Sequence, residues 1–295
     1  MRTKTTFLVT LLLTPFFAPA PAAGAASAPA AESIRELRDL LARGDCDTVL
    51  DRVSEMRRSA PRHPDLLALE ANCRMREDRV IERRFDEDMY ERLILGTGRD
   101  SLPARAKQLL ERVDVRFSRK SVRRASELFL QAVEAAPYRA DIVVGATAAL
   151  VDMGEDEAAR DVLAEHSRVI DAGAARELDE AAGDFLRTRR LERAAAFAEI
   201  LRSALPRSPL GPALAARVHL ARFRAVPAIE ELERAVELDP SNLALREELV
   251  RLLIAARRFD RAFEAASSHA VEDLSLAVSV ALTRSHGRIV PAGPI

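Results

Sequence analysis

The chain has 295 residues, is 31% charged at a net charge of −1, and contains 11 glycines, 2 cysteines and no tryptophan. Its arginines outnumber its lysines 42 to 3, yet the balance is slightly acidic, and removing Arg2 and Lys4 with an N-terminal signal takes the formal charge to −3. That balance argues against a nucleic-acid binder, which carries a basic surplus or stripe, and the arginine bias is read instead as the mark of a GC-rich genome.

The first element is Arg2 and Lys4 followed by an apolar run from Phe7 to Phe17 and then small residues, with "AGA" or "GAA" ending at Ala25 or Ala26. This is the pattern of a bacterial export signal over residues 1–26. The run falls short of the roughly 20 residues that span a bilayer, and no cysteine follows it to carry a lipid. A cleaved signal predicts a soluble protein in the periplasm or outside the cell, with residues 27–32 as a flexible mature N-terminus and no membrane span after cleavage. The alternative is an uncleaved anchor.

From residue 33 the pattern is helical. Ser33 and Glu36 read as a capping box before Ile34, Leu37, Leu40 and Leu41, and Gly44 and Asp45 turn the chain into a second helix with Val49, Val53 and Met56. Pro61 and Pro64 then restart it at "DLLALEANCRMR". The stretch 77–105 breaks period. Gly44 and its equivalent Lys120 are 76 residues apart, eight more than two units of 34, and the excess is placed in a loop, "LGTGRDSLP" at 95–103. That loop is surface padding or a recognition loop.

Beyond it, small residues recur at Ala125, Ala159, Ala194, Ala228 and Ala262, at spacings of 34, 35, 34 and 34. Around each, a helix, a short polar turn and a second helix return in the same order, and Pro137, Pro206 and Pro240 stop the second helix as Pro61 does earlier. Alanine fits the slot because two antiparallel helices approach closely only where one presents little more than a Cβ. No sustained alternation of β-branched residues appears, so the chain reads as all-α in one elongated domain, residues 33–285. The last helix, "VEDLSLAVSVALTRSHGR", is apolar around more of its circumference than a capping helix needs, and 286–295 is expected to be disordered.

These units resemble the tetratricopeptide repeat (TPR), a helix-turn-helix of about 34 residues. The match is best at "AIEELERAVELDPSN", 228–242, and extends to Leu178, Ala181, Ala182 and Phe185 in one unit and to Gly154, Glu155, Asp156 and Ala159 in another. The repeats are degenerate: most expected large aromatics are replaced, and Asp171 stands where a proline is usual. The resemblance implies a right-handed α-solenoid whose groove is lined by the first helix of each unit. It maps Asp141, Arg176, Asp179, Arg187, Arg217, Glu247 and Arg251 to that groove, with Val144, Leu186, Leu220 and Ile254 between them. Such arginines could clamp carboxylates of a protein or peptide partner, or be ordinary solvated charges. Cys46 opens the second helix of the first unit and Cys73 lies in the next helix, neighbours in a solenoid. In an oxidising compartment they are expected to form a disulfide; elsewhere they are two reduced thiols.

Signals for chemistry are missing. His63, His166, His219, His269 and His286 are isolated from one another, and no HExxH, GxSxG, CxxC or phosphate-loop motif occurs. The carboxylates of "FDEDMYE", 85–91, are read as a solvated face. With only Tyr90 and Tyr138 beside the missing tryptophan, a sugar cleft is disfavoured. The sequence therefore points to a non-enzymatic scaffold or adaptor without metal or cofactor, binding a protein or peptide in an envelope assembly, secretion or transport complex. The rival reading is a small-ligand transport accessory protein or a helical-repeat enzyme.

Overall fold

A computed structural model of the chain describes residues 31–77, 79–87, 89–91 and 110–267. The export signal, residues 27–30, the 95–103 loop, the C-terminal helix and the tail lie outside the described residues.

Twelve α-helices among the described residues form six antiparallel pairs: α1 (Ala31–Arg43) with α2 (Cys46–Ser59), α3 (Pro64–Arg76) with α4 (Arg119–Ala135), α5 (Ala140–Met153) with α6 (Asp156–Glu165), α7 (Ala172–Arg187) with α8 (Leu191–Ala204), α9 (Leu210–Ala221) with α10 (Ala225–Leu238), and α11 (Leu243–Ala255) with α12 (Phe259–Ser267). Successive pairs stack into a solenoid, and the first helices lie side by side along one face. The alanines that set the sequence period sit in the second helices and are fully buried: Ala125, Ala159, Ala194, Ala228 and Ala262. Leu67, Phe129, Leu150, Leu163, Leu178 and Phe197 pack with Ala125, Ala159 and Ala194 into the core of the second to fourth pairs, and separate apolar clusters fill the first pair and the last two.

Helix ends follow local chemistry. Pro64 opens α3, where its missing N–H costs nothing. Asp171, in the slot where proline was the usual residue, caps α7 by accepting the N–H groups of Gly173 (2.8 Å) and Ala174 (2.9 Å). Asp45 caps α2 through Thr48. The expected capping box at Ser33 does not form, because α1 already begins at Ala31 and holds Ser33 in its first turn; Glu36 pairs instead with Arg52 at 3.2 Å.

The turns inside five of the six pairs close the same way. A residue with positive φ follows the first helix, and the next N–H reaches back to a carbonyl five residues earlier: Asp45 to Leu40, Glu155 to Leu150, Arg190 to Phe185, Arg224 to His219 and Arg258 to Leu253. Glycine occupies this left-handed slot at 44 and 154, whereas Arg189 (φ 59°), Phe223 (φ 58°) and Arg257 (φ 57°) hold it elsewhere.

The period break has a different cause from the one expected. α3 and α4 pack against each other as one pair, so residues 77–118 are a single insertion at the turn of the second unit, and the separation of Gly44 from Lys120 holds one unit plus that insertion. Within it, β1 (Val80–Phe85) and β2 (Glu111–Arg116) form an antiparallel sheet, with Val80 opposite Arg116 and Phe85 opposite Glu111. This sheet is an addition to the helical solenoid that the composition had not indicated.

One close approach fixes the spacing of two units. A Cβ on Gly211 of α9 would lie 2.7 Å from the backbone nitrogen of Arg202 and 3.0 Å from its Cα in α8. Gly211→Ala must therefore push two backbones apart, and we expect a loss of about 1–3 kcal/mol, seen as a lower urea midpoint. Gly145 in α5 meets nothing within 4 Å at that position, so Gly145→Ala should gain about 0.5–1 kcal/mol in the same titration.

Candidate functional site

Helices α1, α3, α5 and α7, with Phe129 of α4 beneath them, line a cleft of about 360 Å³ on the first-helix face. Its apolar floor includes Leu41, Leu69, Ile142 and Phe129; Gly145 opens it, and Arg38, Asp65, Asn72, Asp141 and Glu177 supply its polar groups.

One edge is held by an ionic cluster that joins three units. Arg38 donates to Asp65 at 2.6 Å, and Arg139 donates to both Asp65 oxygens at 2.6 and 3.1 Å and to Asp141 at 2.5 and 3.0 Å. Arg38 also stands 3.6 Å from Asp141. Asp65 is 7% exposed, so burial works against its charge, but the two guanidiniums outweigh that and hold its carboxyl below the usual carboxylate range. Asp141 is held low by its hydrogen bonds from Arg139 against a smaller cost of burial. Both depressed values stabilise the fold above the ordinary carboxylate pKa, near ~3.9, and that stabilisation is lost as pH falls through the lower folded values. The urea midpoint should fall steeply below about pH 4, and Asp65→Asn should remove part of that dependence. An unchanged acid profile in the variant would show that the cluster is not its source.

Glu177, exposed at the rim on α7, has no hydrogen bond or ion pair among the described residues. A second ionic ladder continues along the same face. Arg217 of α9 donates to Asp179 of α7 at 2.6 Å and stands 3.9 Å from Glu248 of α11.

The groove residues expected from sequence therefore fall into three places. Asp141 lines the cleft. Asp179 and Arg217 belong to the ladder. Arg187 pairs with Asp184 and Arg251 with Glu247, each on its own helix, and Arg176 donates to the Ala172 carbonyl at 3.2 Å. The arginines that could clamp a partner's carboxylates thus already have acceptors. Of the apolar residues placed between them, Val144 is buried and Leu186 packs against Met89, Leu110 and Leu191 under the insertion. Arg38, Asp65, Asn72, Gly145, Glu177 and Glu248 were missed. Asp65 carried a usable signal: it is the second residue of α3, as Asp141 is of α5.

Cys46, partly exposed at the start of α2, and Cys73, buried in α3, lie near enough for one thiol to influence the other. Burial first, and then the neighbouring thiol, pushes the Cys73 pKa up. No group of three or more histidine, cysteine or acidic side chains placed to hold a metal occurs among the described residues, and in the 85–91 segment Asp86 accepts the Met89 N–H at 2.9 Å as a helix cap. No helix among the described residues is long and apolar enough to cross a membrane.

The stacked pairs and the continuous row of first helices define a TPR-like α-solenoid. No protein-family model matches the chain, and no curated protein does. Among solved structures it is similar to the TPR protein TTC0263 of Thermus thermophilus (19% identity over 56% of this chain and 92% of that one, TM-score 0.33). It is also similar to PilF of Pseudomonas aeruginosa (18% identity, 68% and 93% covered, TM-score 0.31) and to the P58(IPK) TPR domain (13% identity, 87% and 67% covered, TM-score 0.28). The fold assignment rests on the chain's own helix pairs.

Proposed function

We propose that the chain is a non-enzymatic scaffold that takes a segment of a protein partner on its first-helix face, with the cleft around Gly145 as the main contact. The observation that carries this reading is the cleft's make-up: an apolar floor of leucine, isoleucine and phenylalanine beside a fixed ionic edge, with the free carboxylate of Glu177 at the rim. An apolar side chain of the partner fills the floor, and a neighbouring basic group meets Glu177. Because the groove arginines are paired on their own scaffold, the partner's recognition rests on this cleft more than on arginine clamps.

The compartment is part of the proposal. The N-terminal pattern supports export to a bacterial periplasm with cleavage after Ala25 or Ala26, and oxidation of Cys46 with Cys73 is consistent with that compartment. Intact mass of the protein recovered from its native cell tests the cleavage, and an uncleaved N-terminus would count against it.

The binding test is Gly145→Leu. A side chain here projects into open space, so the variant folds, yet it fills the cleft. Co-purification from the native envelope followed by mass spectrometry should show a protein retained by the wild type and lost by the variant. Equal retention by both would refute the cleft assignment.

A further inference from the structure

The inserted sheet presents a second surface, independent of the first-helix face. β2 is the inner strand: its Val113 N–H donates to the Arg189 carbonyl at 3.2 Å, and the Arg189 side chain donates to the Glu111 carbonyl at 3.3 Å. Met89 and Leu110, buried with Leu191, fasten the same insertion to the turn edge of the solenoid. β1 is the outer strand and has no third strand beside it among the described residues.

The hydrogen-bond phase shows which β1 groups face outward. In an antiparallel pair, opposed residues alternate between those that exchange backbone bonds and those that do not. Val113 spends its N–H on Arg189, so its pair with Arg83 is of the second kind. The Asp86 N–H bond to Leu110 at 2.8 Å sets the same phase from the other end. The N–H and C=O groups of Ile81, Arg83 and Phe85 therefore point away from β2, on the side where no other strand lies among the described residues.

Their side chains share one face of the strand, and that face is apolar, cationic, apolar. Ile81 is 51% exposed and Phe85 48%. Arg83 has no ion-pair or hydrogen-bond partner among the described residues, whereas the arginines of the opposite face are paired: Arg84 with Glu82 at 2.6 Å, Arg112 with Asp114 at 3.2 Å and Arg116 with Glu82 at 3.4 Å. Edge strands are commonly blunted by charge, proline or a bulge. Here the one charge on this face, Arg83, is unpaired among the described residues and flanked by two large exposed apolar groups.

We infer that the open edge of β1 receives an extended segment of a partner protein as a third strand, with an acidic side chain opposite Arg83 and apolar side chains opposite Ile81 and Phe85. Backbone bonds supply the attachment and the alternating side chains the selectivity. A second copy of this chain is a poorer occupant, because two β1 strands paired antiparallel in full register set Arg83 against Arg83, and like charges directly opposed destabilise a sheet.

The test uses the full chain and a capped synthetic peptide, Thr-Val-Thr-Asp-Thr-Val-Thr, with a counterpart carrying lysine in place of aspartate. The aspartate peptide should bind at concentrations up to about 1 mM and slow amide exchange at Ile81, Arg83 and Phe85. Arg83→Glu should weaken that peptide by about tenfold and favour the lysine peptide, reversing the charge preference. Arg83→Pro removes an outward N–H while sparing the ladder to β2, so it should abolish binding with an unchanged thermal midpoint. The inference is overturned if the aspartate peptide does not bind, if protection falls on the first-helix face instead, or if the three amides are already slow in the protein alone. In that last case, protection that grows with protein concentration identifies a second copy as the cover, and constant protection identifies the chain itself.

Discussion

Arg190→Ala is expected to lower stability by about 3 kcal/mol, because it strands a carboxylate that the fold has taken out of water. Arg190 sits just before α8, and its guanidinium binds the Asp152 carboxylate at the end of α5 while lying 5.0 Å from the centre of the Phe185 ring. Only 11% of the Arg190 side chain and 15% of the Asp152 side chain are exposed. Burial, with Arg193 and Arg79 nearby, pushes the Arg190 pKa down to about 10, so the charge is retained at neutral pH, and the Asp152 carboxylate is the group it faces. Removing the arginine leaves that carboxylate without its partner and deletes the contact with Phe185. A variant with both residues made apolar, Arg190→Met with Asp152→Leu, should recover most of the loss, since a buried ion pair and a packed apolar pair are often close in stability. Urea unfolding of the three proteins decides it. If the double variant is as unstable as the single one, the stranded charge is not the cause.

Oxidation of Cys46 and Cys73 is expected to stabilise the first two units by about 3–4 kcal/mol through the loop it closes in the unfolded chain. Cys73 is buried in the core of these units beside Leu66 and Leu69, whereas Cys46 is partly exposed at the start of α2. The accessible thiol is therefore the one an external disulfide reaches first. Oxidised glutathione forms a mixed disulfide at Cys46; Cys73 then attacks the Cys46 sulfur, glutathione leaves as the thiolate, and the two cysteines have together lost two electrons and two protons to one glutathione disulfide. The wild type should show a higher urea midpoint after oxidation than after reduction, and Cys46→Ser should close that gap. Two free thiols by mass after oxidation, with no gap in midpoint, would refute the pairing.

The solenoid was legible because its cause is local and periodic. An alanine every 34 or 35 residues marks the closest helix approach, and all five are fully buried. The turns were half legible. Gly44 and Gly154 announce a left-handed residue, but arginine and phenylalanine do the same work at 189, 223 and 257, and nothing in those side chains signals it. The insertion was misread because its length brought the spacing close to a second full unit. The alternation of Val113, Val115 and Phe117 is too short to stand out beside long helical patterns. Asp141, Asp179 and Arg217 were placed from repeat position alone; what each one binds depends on neighbouring units, which sequence spacing does not specify. Arg38, Asp65 and Glu177 entered the site only when four units were stacked.

The central claim, that the face around Gly145 holds a segment of a partner protein, is tested most directly by site-specific photocrosslinking in the native cell. A benzophenone side chain is placed at position 145 in one protein and, as a control, at the exposed Arg123 of α4 in another. The account predicts a crosslinked protein partner from position 145, absent from position 123, whose captured peptide carries an apolar residue beside a basic one. Crosslinks of equal yield from both positions, or none from position 145, would contradict it.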